Sequence, residues 1–433
     1  MSDVIEDSEE PSQTVGPSKP RLLKVLGPGL ITGASDDDPS GIATYSQAGA
    51  QFGYVLGWTL LFTWPLMAAI QMIAARLGRT TGHGIAGVLL RHYPRALLPA
   101  FIVPLLVANI INIGANLGAM ADATKMVVGG SGTVYVLVFG LLCIGLQVFV
   151  QYARYVKILK YLTIVLFAYV ATLFMVKVDW HAALAGIVVP HLSLSRETIT
   201  TVVAILGTTI SPYLFFWQAS EEAEDIRILP RRAPLKRAPS QAPAALDRIR
   251  LDTIIGMGFS NAVALCILIT AAAALHGRVD SIESSAQAAA ALKPVAGAYA
   301  EWVFALGIIG TGLLAIPVLA GSAAYAVGEA QRWRVGLARE PSEATAFYAT
   351  IAVATAVGMV VYFTPINPIK ALYWSAVING VVAVPVMVIL MLASRRRAIM
   401  GAFTVRGPLA WLGWLSCAAM AVAVVGMLAT MVV

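Results

Sequence analysis

Charge is scarce in this sequence. Asp, Glu, Lys and Arg make up 12% of its 433 residues, whereas soluble domains run near one quarter charged. With 58% of residues hydrophobic and a mean hydropathy of +0.78, that shortage excludes an ordinary water-soluble globule and points to an all-α polytopic membrane protein. Cysteine is scarcer still. Cys143, Cys266 and Cys417 are the full set, each inside an apolar window and far from the others in sequence, which argues against a disulfide framework or a thiolate metal site. All five histidines, His83, His92, His181, His191 and His276, fall in loops or at the end of an apolar window, so imidazole is not a mid-membrane ligand or proton carrier. No apolar stretch alternates with the period of two that a barrel strand needs, so the spans are helical.

Eleven apolar windows are long enough to cross about 30 Å of hydrocarbon as helices. They lie at 25–53, 55–75, 98–121, 133–151, 158–177, 198–225, 251–275, 298–328, 345–363, 369–393 and 409–431. The net charge of +7 reports orientation rather than nucleic-acid binding. With a cytoplasmic N-terminus, the inner segments 1–24, 76–97, 152–160, 226–250, 329–344 and 394–408 hold 24 of the 30 Lys and Arg, which satisfies the positive-inside rule. The expectation is an integral protein of the plasma (inner) membrane. Residues 1–22 are polar and acidic, with no apolar core behind a basic start, and are expected to be a disordered cytoplasmic tail rather than a signal peptide.

Two spans are abnormal. The first carries Asp36-Asp37-Asp38-Pro39 in its middle, and the sixth carries Ser211-Pro212. Proline removes an amide donor and clashes with the turn before it, so carbonyls are freed at membrane depth. Freed carbonyls are tolerated there only around a protein-lined cavity. The interruptions sit in corresponding helices of two five-helix blocks, and an odd number of crossings inverts the second block. Such a pair is a pointer to the binding site of an inverted-repeat transporter. The domain reading is therefore tail 1–22, repeat one at 23–177, outer loop 178–197, repeat two at 198–393, and an inner loop with an eleventh helix at 394–433.

An aspartate at the bilayer centre costs about 2.5–3.5 kcal/mol on insertion scales, so three in a row need compensation. Asp38 before Pro39 is also a good helix start, and capping alone remains a possible role. The functional reading is cation coordination, since carboxylate and freed carbonyl oxygens are hard ligands suited to Mg²⁺, Ca²⁺ or Mn²⁺. Successive residues in an unwound segment diverge, so one or two of the aspartates should face the ion. Asp38 is the first candidate and Asp37 the second.

The stretch "GPGLITGASDDDPSGIATYSQAGAQFGYVLGW" resembles the first helix of the NRAMP family of divalent metal transporters, whose signature there is Asp-Pro-Gly-Asn followed by a similar "QAGAQFGY" run. "GTTISPYLFFWQAS" sits where that family has a Met-Pro-His motif, and the likeness extends to "GSAAYAVGEAQRW" in helix eight. The resemblance implies a leucine-transporter-type fold, with a 5+5 inverted repeat and broken helices 1 and 6, and it implies divalent-metal transport. Asp38 and Pro39 keep the pattern, while Ser40 and Gly41 replace Gly and Asn. Ser211 stands where the family's metal-binding methionine would be, and Thr208 where a backbone carbonyl donor would lie. Loss of a thioether tilts the site toward hard oxygen chemistry, as in the NRAMP-related magnesium transporters. A roomier site suits Mg²⁺, which keeps several of its waters, and Mn²⁺ should also pass. The family's coupled members carry carboxylates in helix three and histidines in helix six. Here Asn112 and Ala115, and Tyr213 and Gln218, occupy those positions, so transport is expected to be uncoupled from protons. The alternatives are a proton-coupled Mn²⁺/Fe²⁺ transporter and an amino-acid or organic-cation symporter of the same fold.

Other polar residues have plainer readings. Asn109, Asn112 and Asn116 suit interhelical hydrogen bonding, and Asn379 in helix ten is balanced between that role and an amide ligand. Glu221, Glu222, Glu224 and Asp225 suit a solvated helix end more than an electronegative exit vestibule, the Arg/Pro-rich 226–250 segment a solvated linker more than a regulatory or lipid-binding element, and "DSIESSAQAAAALKP" a surface helix. No cofactor, nucleic acid or enzymatic activity is implied; the partners are the metal ion and the bilayer, and oligomeric state is open.

Overall fold

The computed structural model describes residues 32, 33, 35–150, 167–228, 232–279 and 281–432. The tail 1–22, the first span before residue 32, the inner segment 152–160 and the opening half of the fifth span lie outside the described residues. Every regular element among the described residues is helical. In chain order the main helices are α1 (Pro39–Phe52), α2 (Gly57–Thr81), α3 (Ile85–His92), α4 (Leu98–Val128), α5 (Gly132–Phe149), α6 (Phe167–Met175) and α7 (Trp180–Val188). There follow α8 (Arg196–Thr209), α9 (Pro212–Ile228), α10 (Ala242–Leu275), α11 (Ala300–Ala330), α12 (Thr345–Val361), α13 (Pro368–Arg395) and α14 (Pro408–Val432). Eight stretches among the described residues are long and apolar enough to cross a bilayer. The ninth predicted span is the shorter α12, the fifth appears as α6, and the first is interrupted before α1, so each of the eleven windows corresponds to a helix or part of one.

The helix pairings follow the inverted repeat. α1, the second half of the first span, packs on α10, while α9, the second half of the sixth, packs on α2. Exchanging the two five-helix blocks converts one pair into the other, and α4 against α11 is converted into itself. Both exchanged pairs depend on a glycine where backbones touch. A methyl on Gly49 of α1 would sit 2.3 Å from the Leu268 carbonyl oxygen, and one on Gly78 of α2 would sit 2.0 Å from that of Ala219. Small residues at such crossings let helices approach without the help of water-driven burial.

The loops sort into the two faces that the basic residues predict. On the basic face Arg76 Nε donates to the Phe403 carbonyl (3.1 Å), Lys236 Nζ to that of Ala398 (3.2 Å), and Arg79 Nη1 to that of Ala233 (2.6 Å). On the other face the Ile282 amide donates to Gln47 Oε1 (2.7 Å) and Trp58 Nε1 to the His191 carbonyl (3.2 Å).

Three sequence expectations are corrected here. The described part of 226–250 is anchored rather than free, though most of its side chains are at least partly exposed: the Leu235 amide bonds the Arg79 carbonyl at 3.2 Å, Leu235 is buried, and α10 starts nine residues before the apolar window at 251. Its polar first turns run below the membrane, where hydropathy carries no signal. The Ala-rich outer segment is not a surface helix, because Ser285, Ala288, Ala289 and Ala291 are buried and Ser285 Oγ donates to Asp122 at 2.5 Å. The acidic end of the sixth span is solvated only in part, with Glu221 and Asp225 half-buried. Glu222 is buried and paired with Arg248 at 2.5 Å, while Glu224 accepts from the Tyr325 hydroxyl and from the Ala338 amide at 2.7 Å. These carboxylates tie α9 to α10 and to the chain after α11.

His83 lies in the turn between α2 and α3. Burial first, and then the charges of Arg91 and Arg227, push its imidazole down to about 4 from 6.5. The unfolded chain thus takes up a proton that the fold refuses, so stability should fall as pH drops from 6.5 to about 4. His83→Gln should flatten that part of the slope, read as Tm against pH. Gly78→Ala should lower stability by about 1–3 kcal/mol through overpacking, visible as a reduced Tm in detergent.

Candidate metal centre

Thr32, Gly33, Ser35 and Asp36 are helical, the chain bends at Asp37, and it is extended at Asp38 (φ −72°, ψ 170°) before α1 begins at Pro39. Asp38 caps α1: its Oδ1 accepts from the Gly41 amide at 2.8 Å and from Ser40 Oγ at 2.5 Å. Capping occupies one carboxylate oxygen. The other, Oδ2, has a single long contact, 3.5 Å from Asn116 Nδ2 on α4. Both roles weighed from the sequence are thus compatible, since the cap fixes the carboxylate and leaves an oxygen for an ion.

The sixth span breaks between α8 and α9. Pro212 has no N–H to give the Thr208 carbonyl four residues earlier. The Ser211 hydroxyl takes over, donating to the Gly207 carbonyl at 2.7 Å and the Thr208 carbonyl at 2.8 Å. A carbonyl has two lone pairs, so Thr208 retains acceptor capacity. The two breaks adjoin: a methyl on Gly41 would lie 3.3 Å from Thr208 Oγ1. Below them the Tyr213 hydroxyl donates to the Ser35 carbonyl at 3.4 Å and Thr32 Oγ1 to Gln218 Oε1 at 2.5 Å, joining the first half of the first span to α9.

α4 and α13 add amides. Asn112 Oδ1 accepts from Asn116 Nδ2 and from Ser375 Oγ, each at 3.3 Å. Asn379, one turn beyond Ser375 on α13, is fully buried with neither amide atom hydrogen-bonded among the described residues. A buried unpaired amide costs about 1–3 kcal/mol, so its retention suits an occasional partner.

Of the residues singled out from sequence, Asp38, Gly41, Thr208 and Ser211 meet at the paired breaks, and Asn379 sits on α13, whose Ala376 and Gly380 backbone touches Gly207 of α8. Asp37 points elsewhere. Its Oδ1 accepts from Ser260 Oγ on α10 at 3.2 Å, the hydroxyl that also reaches Asp36 Oδ2 at 2.6 Å. The remaining oxygens, Asp36 Oδ1 and Asp37 Oδ2, are buried without a hydrogen-bond partner among the described residues. The triple aspartate is therefore split between two helices. Ser260 and Ser375 gave no sequence signal. Asn112 and Asn116 did, but as interhelical packing residues rather than ligands; of the three asparagines Asn109 fits that role, donating to the Leu319 carbonyl and Ser322 Oγ.

Among the described residues no three His, Cys, Asp or Glu converge as a metal cage. The donors at the breaks are one carboxylate oxygen, a carbonyl, a hydroxyl and nearby amides. That set suits a hard divalent ion that retains water.

Residues 29–430 match the family described as Nramp, natural resistance-associated macrophage protein-like. The divalent metal cation transporter MntH of Acidiphilium cryptum is 27% identical over 393 residues, spanning 89% of this chain and 85% of that one. The manganese transporter of Eremococcus coleocola shares the fold with a TM-score of 0.74 at 18% identity, over 98% of this chain and 90% of that one. Mhp1, a nucleobase-cation-symport-1 family transporter in a closed conformation, gives 0.57 at 14% identity, over 94% and 91%. These likenesses establish the leucine-transporter-type architecture.

Ser260→Ala removes the hydroxyl shared by two buried carboxylates and should cost about 1–3 kcal/mol. Ser260→Thr keeps the donor and should restore most of the Tm lost.

Proposed function

The chain belongs to the Nramp family, and from that premise we propose that it carries divalent metal cations across the membrane, with Mg²⁺ the principal cargo and Mn²⁺ also accepted. The observation that carries this reading is the Asp38 carboxylate, fixed by its cap with Oδ2 left for an ion, beside a sixth-span break whose side chain is a hydroxyl rather than a thioether. Oxygen donors alone do not favour soft transition metals over Mg²⁺. Asp38, the Thr208 carbonyl, Ser211 and Asn379 are the proposed contacts, directly or through retained water. Gly41 lets the two breaks approach closely rather than offering a donor side chain, and Asp37 contributes negative charge beside the site.

The proposed driving force is the ion gradient and the membrane potential. A divalent ion gains about 4.6 kcal/mol per 100 mV on moving inward. Tyr213 and Gln218 on α9 each hold the first span by a hydrogen bond and offer no imidazole to a proton relay. In this reading the basic-loop face is cytoplasmic, in the plasma (inner) membrane.

Uptake into proteoliposomes, with Mg²⁺, Mn²⁺, Ca²⁺ and Cd²⁺ offered separately while internal pH is followed, tests the proposal. Mg²⁺ and Mn²⁺ should enter without acidifying the lumen. Asp38→Ala should reduce their entry at least about tenfold, and Ser211→Met should raise Cd²⁺ and Mn²⁺ entry relative to Mg²⁺. Metal-driven acidification would remove the uncoupled mechanism, and a wild-type preference for Cd²⁺ over Mg²⁺ would remove the oxygen-site reading.

A further inference from the structure

On the basic face, outside the metal centre, a cavity of about 520 Å³ opens between the start of α4 and the end of α11. Its wall is apolar, with Leu98, Ile102, Val103 and Leu106 on α4 and Val327 on α11, and Arg95 and Arg332 stand at its head. Arg332 also lines a second cavity, of about 440 Å³, with Arg91, Arg227 and His83. Glu329 lines the second cavity too, so Arg332 joins an apolar groove to a pocket with three arginines and one carboxylate.

Neither Arg95 nor Arg332 has an ion-pair partner among the described residues. The carboxylate nearest in sequence, Glu329, is already committed: its oxygens accept from the amides of Gly84 at 3.0 Å and Gly87 at 2.8 Å. The backbone gives an independent sign that Arg332 is placed for a purpose. Helix α11 closes with the Trp333 amide on the Gly328 carbonyl (2.8 Å), and Arg332 takes φ +60° at the turn, the one non-glycine residue with positive φ among the described residues. Helix ends of this kind ordinarily use glycine, which adopts that conformation without steric cost. A strained non-glycine residue persists where its side chain is needed.

We propose that this groove binds an anionic phospholipid of the leaflet on the basic face, its phosphate between Arg95 and Arg332 and an acyl chain along the α4 wall. Charge complementarity supplies the head-group contact, as in other basic pockets between membrane helices. The apolar wall selects a lipid over a free anion: Val103, on the groove wall, is 53% exposed. The arginine stems suit the boundary, with apolar methylenes along the groove and guanidinium groups at the surface. The site ties α4 to α11, the pair that the inverted repeat maps onto itself.

The test uses the full chain in phosphatidylcholine nanodiscs with phosphatidylglycerol titrated in, reading Tm and, by native mass spectrometry, retained lipid. Phosphatidylglycerol should raise Tm and be retained by the wild type. Arg332→Gly keeps the helix end in a conformation glycine prefers, so it should fold while retaining less lipid; adding Arg95→Gln should bring the loss to about thirtyfold. Val103→Trp fills the apolar wall without changing charge and should also weaken retention. Equal retention by wild type and the double variant would overturn the proposal. So would an equal Tm rise from inorganic phosphate alone, which would indicate a soluble anion, or full retention by Val103→Trp, which would show that no acyl chain lies along the α4 wall.

Discussion

A helix cannot be interrupted inside hydrocarbon unless the backbone groups it releases find partners, because each unsatisfied group there costs several kcal/mol. This protein interrupts two helices and lets side chains make good both losses. The Asp38 carboxylate satisfies the amide of Gly41 at the start of α1, and the Ser211 hydroxyl satisfies the carbonyls that Pro212 orphans at the end of α8. The breaks adjoin through Gly41 and Thr208. Acceptor atoms left after this mutual repair are what a cation can use, so structural repair and ion binding draw on the same few groups.

Much of this was legible in the sequence because it follows from local chemistry. Pro39 and Pro212 dictate where helices must restart, and hydropathy gives the spans. The distribution of Lys and Arg correctly grouped the loops, as the bonds from Arg76, Arg79 and Lys236 to loops distant in sequence show. What escaped was whatever depends on orientation within an irregular segment. Asp36 and Asp37 turn to Ser260 on α10 rather than joining Asp38; the proline beside Asp38 singles it out, but nothing in the run shows that Asp37 would follow Asp36 instead. Polar residues beyond the hydrocarbon were also misjudged. Glu222 and Arg248 look like separate solvated charges in sequence but are a buried pair, and α10 begins before its apolar window because hydropathy does not register a polar helical turn.

The helix-three asparagines show why a single residue type resists assignment. Asn109 and Asn116 are seven residues apart on one helix and both are fully buried. The first donates to the backbone and to Ser322 of α11 and locks two helices together. The second reaches the carboxylate of Asp38 and its neighbour Asn112. Amide groups supply donor and acceptor at no net charge, so they can serve packing at one level of the bilayer and a site at the next.

The absent side chain at Gly41 sets what any substitution there would meet. The space beyond its Cα is already taken up: the Tyr45 ring, the Asp36 carbonyl and Thr208 Oγ1 stand 3.2–3.3 Å from where a Cβ would be. An asparagine there, as the family signature has, would meet all three at once. Any side chain at this position therefore needs Tyr45 and Thr208 to give by a few tenths of an ångström. The packing works as a die, shaped to a backbone without a Cβ and admitting a larger residue only as those two neighbours shift.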